Sequence, residues 1–98
     1  MIHPVLVEFS NITIRYEVVE DDLLFLHLEY DGEVDDQGYL ELYDVFSEIL
    51  VESNKFKIPC VFCLIREDKD RRIALVESLG FIEEEKVDGM ILFKAETF

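Results

Sequence analysis

Apolar and polar side chains alternate along most of the first thirty residues. From His3 to Ser10, Val5, Val7 and Phe9 point one way and Leu6, Glu8 and Ser10 the other, the two-residue period of a strand with one buried face. Ser10-Asn11 predicts a turn. Ile12, Ile14, Tyr16 and Val18 then alternate with Thr13, Arg15, Glu17 and Val19 as a second strand, and Glu20-Asp21-Asp22 turns the chain again. From Leu23 to Tyr30 both faces are largely apolar, with Leu24, Leu26, Leu28 and Tyr30 opposite Leu23, Phe25, His27 and Glu29, which predicts a central strand covered on both sides. Short turns join the three strands, so they are expected to form an antiparallel meander.

The period then changes. Asp31 to Gly38 reads as a loop, and from Tyr39 to about Lys55 the apolar positions Leu42, Phe46 and Ile49, followed by Ser53, recur at helical spacing, with Tyr39, Leu50 and Phe56 widening the stripe. Lys55 and Lys57 stand where the helix dipole favours cations. Ile58 to Ile65 is apolar without alternation, a short buried strand that tolerates Pro59 at its start. A second helix runs from Asp70 with Ile73, Val76 and Leu79 on one stripe. Asp68 or Asp70 is expected to cap it, and Gly80 to end it in the left-handed conformation with Phe81 folding back as the hydrophobic contact. Glu83 to Lys86 is a polar strand, Asp88-Gly89 signals a tight hairpin, and Met90 to Ala95 returns. The predicted architecture is a mixed, largely antiparallel α/β (α+β) sheet in the order β-β-β-α-β-α-β-β.

A strand, then a short helix ending in Leu79-Gly80-Phe81, then a closing hairpin resembles the end of the GNAT acyl-CoA N-acetyltransferase family. The element order is similar to that fold from its second strand on, without its first strand and first two helices. The resemblance implies a ligand slot where the middle strands splay next to the N-terminus of the long helix. It also implies a backbone cradle there for the pyrophosphate of acetyl-CoA, built on a Gln/Arg-x-x-Gly-x-Gly/Ala loop whose N–H groups meet the anion. Gln37 and Gly38 are what this chain offers at that place, without the second Gly. The family's helix carries an Asn near its start and a Tyr four residues before the Gly. Lys69 and Val76 stand at those positions. His27 and Glu29, on one face of the central strand, occupy a place from which family members recruit a general base.

Charge sharpens the picture. The net charge of −14 is split unevenly: residues 1–54 hold 14 acidic residues against Arg15 alone, while residues 55–98 hold 9 acidic and 8 basic. Such a field disfavours nucleic acid, anionic membranes and phosphorylated ligands, and favours basic partners. Asp31, Glu33, Asp35 and Asp36 crowd the expected cofactor position. Two like charges ~4 Å apart at a protein surface repel by ~4 kcal/mol, against the ~0.3–1 kcal/mol that a helix dipole offers an exposed anion.

At 98 residues the chain is expected to form one domain, 1–98, and it has neither a bilayer-length apolar run nor a signal-peptide pattern, which points to the cytoplasm. Cys60 and Cys63 point to opposite faces of a strand, and a zinc there would need two more ligands that the distant His3 and His27 are not expected to supply, so no metal site is expected. An EF-hand loop from Asp31 would need Gly at Asp36 and Glu at Leu42. The expectation is therefore a non-catalytic, GNAT-like acidic protein without a cofactor, using Asp31, Glu33, Asp35 and Asp36 to bind a basic protein surface. The alternative is an acetyl-CoA-dependent N-acetyltransferase with a reduced site that uses His27, Glu29, Gln37 and Gly38. A second copy of the chain could supply the elements the family has and this sequence lacks.

Overall fold

In the computed structural model, which describes residues 3–97 apart from the side chain of Asp21, the alternating stretches become β1 (Val5–Phe9), β2 (Ile12–Val19) and β3 (Leu23–Tyr30). They are followed by α1 (Asp36–Lys55), β4 (Cys60–Arg66), α2 (Asp70–Ser78), β5 (Ile82–Val87) and β6 (Met90–Glu96). The strands form one six-stranded sheet in the order β1-β2-β3-β4-β6-β5. Every neighbouring pair is antiparallel except β3 and β4, which run parallel with α1 as their crossover. The meander, the element order and the mixed sheet follow the sequence pattern.

Cross-strand register assigns the faces. Ile14 lies opposite Leu28, Leu24 opposite Val61, Leu26 opposite Cys63, Cys63 opposite Phe93 and Ile65 opposite Ile91, so these residues share an inner face. With Ile12 and Ala95 they form the core together with Leu42 and Phe46 of α1, Val76 of α2 and Phe81. Phe46 and Phe81 meet with ring centroids 5.9 Å apart. Both helices therefore cover the inner face. The outer face, which carries Leu23, Phe25, His27, Phe62, Leu64 and Leu92, has no fully buried side chain among the described residues. This corrects the expectation that β3 is covered on both sides: its apolar outer side is open.

The turns follow their chemistry. Asp88 (φ 51°) and Gly89 (φ 78°) both take positive φ, as the tight hairpin between β5 and β6 requires. Gly80 (φ 95°) ends α2 with Phe81 N–H donating to the Val76 carbonyl at 3.0 Å and Gly80 N–H to Glu77 at 3.1 Å, the paired bonds of a glycine cap. The opposite end departs from expectation. Lys69 occupies the N-cap without a side-chain bond, because Asp68 is held by the Arg66 guanidinium at 3.1 and 3.0 Å. Helix α1 begins three residues earlier than its apolar stripe, because Asp35 caps it, and Phe56 lies outside the stripe with 76% of its surface exposed.

Candidate functional site

The parallel pairing of β3 with β4 stops at Leu26 opposite Cys63, although β3 continues to Tyr30 and β4 to Arg66. Beyond that point the two strands part toward the N-termini of α1 and α2, where side chains of α2 pack on those of β3 and α1. The Arg72 guanidinium lies 3.6 Å from the centre of the Tyr30 ring, and Arg71 lies 4.2 Å from that of Tyr39. Arg72 Nε is buried without a hydrogen-bond partner among the described residues. Burial pushes the Tyr30 phenol up to about 12 while the Arg72 charge pulls the other way, and the Tyr39 and Cys63 groups add smaller upward effects. Nothing in the residue pattern singled out Arg72 or Tyr30; the parallel crossover brings them together.

The loop from Asp31 to Asp35 is fastened from below. Asn11 Nδ2 donates to the carbonyls of Asp31 at 2.8 Å and Glu33 at 2.9 Å, and Asp31 N–H donates back to the Asn11 carbonyl at 2.8 Å. The four acidic side chains of the loop region stay exposed. Asp35 accepts a 2.8 Å bond from Gly38 N–H, so the helix N-terminus already has an anionic partner. Gly38 is buried, and a Cβ on it would come within 2.9 Å of Val34 Cγ1 and 3.3 Å of Asp35 Oδ1. The close approach that this glycine permits is used by its own loop. Gln37 is exposed and lies 3.5 Å from Glu41, and Asp36 is bonded to Arg71.

His27 and Glu29 share the outer face, yet they engage different partners. Glu29 is bonded to Arg15, and His27 Nε2 lies 3.0 Å from Glu17 Oε1. His3, distant in sequence, stacks on His27 with ring centroids 4.4 Å apart and reaches the same Glu17 oxygen at 3.7 Å. The two histidines, distant in sequence, therefore converge on one carboxylate. Cys60 and Cys63 lie on opposite faces, unpaired, and burial pushes the Cys63 thiol up to about 12. A separate open groove of about 390 Å³ runs between β1, β2 and the second half of α1, lined by Leu6, Val18, Ile49 and Phe56 with Glu48 and Glu52 beside them.

The sheet order, a parallel pair that forks at the start of α1, and α2 closing on Leu79-Gly80-Phe81 define a GNAT-like fold. Solved structures agree. The ribosomal-protein-S18-alanine N-acetyltransferase of Escherichia coli superposes with a TM-score of 0.69 at 22% identity, over 89% of this chain and 61% of its own. A domain from Methanocaldococcus jannaschii gives 0.73 at 20% identity, over 94% and 62%. A GNAT-family acetyltransferase from Listeria monocytogenes gives 0.58 at 14% identity, over 90% and 58%. The likeness is one of fold, and the chain spans about three fifths of the length of these structures. No protein-family model and no curated protein matches the sequence.

Proposed function

We propose that the chain is a non-catalytic GNAT-like protein that binds a basic protein surface through Asp31, Glu33, Asp35 and Asp36. The observation that carries this reading is the state of the fork and the helix start. Arg72 packs over the Tyr30 ring at the end of β3, and Asp35 takes the Gly38 N–H that an anionic cofactor would need. An incoming pyrophosphate would have to displace a capping carboxylate and meet three further acids. Asn11 holds the loop carbonyls in place, so the acids are presented on a fixed backbone and the loop loses less freedom when a partner binds. The separate groove along the second half of α1 adds apolar anchors, Val18 and Phe56, beside Glu48 and Glu52 at the helix's far end. That combination fits a basic amphipathic segment of the partner.

Calorimetric titration with acetyl-CoA tests the first half. No heat of binding is expected, and saturable micromolar binding would favour the alternative, an acetyl-CoA-dependent N-acetyltransferase, a reading supported by the fold shared with the Escherichia coli enzyme. The second half is tested by capture of a lysine-rich amphipathic peptide. Capture should fall steeply as salt rises, and also when Asp31, Glu33 and Asp36 are changed to amides with the Asp35 cap left intact. Salt-independent capture contradicts the reading.

A further inference from the structure

On the outer face of the sheet, away from the fork and the acidic loop, three side chains from three separate segments converge. His27 projects from β3, Glu17 from the neighbouring β2, and His3 from the segment leading into β1. Their donor atoms lie within 4.8 Å of one another: His27 Nε2 and His3 Nε2 stand 3.0 and 3.7 Å from the same Glu17 Oε1. We propose that His3, Glu17 and His27 form a binding site for a divalent transition-metal ion of the zinc type.

The geometry suits such an ion. With zinc–nitrogen and zinc–oxygen bonds near 2.0–2.1 Å, the donor atoms of a tetrahedral site are about 3.4 Å apart, a spacing the three already approach; to ligate one ion, the His3 and His27 rings, now stacked 4.4 Å apart and 5° from parallel, must turn their Nε2 atoms toward each other. Two imidazoles and one carboxylate form a ligand set that zinc uses, whereas calcium and magnesium require oxygen donors throughout. The side chains of His3, Glu17 and His27 are 32%, 40% and 34% exposed, which leaves the fourth position open to water. The backbone fixes the convergence: Arg15 Nη1 donates to the His3 carbonyl at 2.8 Å, and Tyr16 N–H donates to the Pro4 carbonyl at 3.1 Å. Phe25 packs against the other side of the His27 ring with centroids 4.9 Å apart, so the turn falls mainly to His3. The net charge of −14 further favours a cation. A bound ion would tie the segment before β1, at the sheet edge, to β3.

The test uses tag-free protein stripped with a chelator and titrated with zinc chloride by calorimetry, with calcium and magnesium chlorides in parallel. About one equivalent of zinc is expected to bind, with no response to calcium or magnesium, and the melting temperature should rise with zinc. His27→Gln and Glu17→Gln, which keep side-chain shape, should each weaken zinc binding roughly tenfold or more, and His3→Gln likewise. Cys60→Ser and Asp36→Asn should leave it unchanged. Imidazole nitrogen NMR supplies a readout independent of stability: both Nε2 signals should shift on zinc addition. Absence of stoichiometric binding overturns the site. So does binding that survives in folded His27→Gln protein, or binding that disappears in Cys60→Ser.

Discussion

At the scale of single residues, burial decides chemistry that the sequence leaves open. Cys60 and Cys63 have the spacing of a redox pair, but the strand turns them to opposite faces, and only Cys60 is reachable. In native protein a thiol reagent should modify about one thiol quickly, the fast reaction should vanish in Cys60→Ser, and Cys63 should react only on unfolding. Tyr30 makes the same point for acid–base behaviour. Its phenol is held protonated up to about 12 against an ordinary value of 10.0. Between those values the unfolded chain has lost this proton and the folded chain has kept it. The stabilising contribution is therefore full below about pH 10 and is lost as pH rises to about 12. At one unit per 1.36 kcal/mol, its ceiling is about 2–3 kcal/mol. Tyr30→Phe should remove the latest-titrating tyrosine from an ultraviolet titration and flatten the alkaline fall in stability. Arg72→Met, which keeps a side chain over the ring but removes the charge, should move that titration to higher pH, because the cation that favours tyrosinate is gone while the burial stays.

At the scale of elements, the start of α1 separates two acids that look alike in sequence. Asp35 caps the helix through the Gly38 N–H, whereas Asp36, with 88% of its side chain exposed, only pairs with Arg71 across the surface. Asp35→Ala should cost about 1 kcal/mol in chemical denaturation, and Asp36→Ala no more than about 0.5 kcal/mol. Equal losses would mean that the loop, not the cap, sets the stability of this end. Most of the elements were legible because period carries them: the alternation of Ile12 to Val18 is a strand, and Asp88-Gly89 can only be a turn. The early helix start was missed because the stripe begins at Tyr39 while the cap is set by one carboxylate. The sites were less legible. His3, Glu17 and His27 converge through the register of β2 with β3 and the segment before β1, and Tyr30 meets Arg72 through a parallel crossover. Neither relation leaves a spacing in the sequence. The open outer face escaped for a similar reason: Phe25 and Leu23 record that the face is apolar, but not which side the helices choose.

At the scale of the whole molecule, that open face and the −14 charge act against each other, and the balance is a matter of salt. Leu23, Phe25, Phe62 and Leu92 are only half-buried on the outer face, Leu64 is 41% exposed, and Phe25 and Phe62 stack with centroids 6.4 Å apart. An uncovered apolar surface of this kind favours association, and a second copy is the occupant available in pure protein. Two copies repel through their net charge over a screening length of about 10 Å at 0.1 M salt, which shrinks to about 3 Å at 1 M. Sedimentation should therefore find monomer in dilute salt and a growing dimer fraction in concentrated salt, with Leu64→Glu suppressing the dimer by placing a charge in the contact. Binding of a basic partner to the acidic loop must respond to salt in the opposite sense. The two surfaces are thus separable in one experiment: an association that salt strengthens and Leu64→Glu abolishes belongs to the sheet face, and one that salt weakens belongs to the loop. A chain that stays monomeric at every salt concentration would remove self-association from the account while leaving the acidic surface to be judged alone.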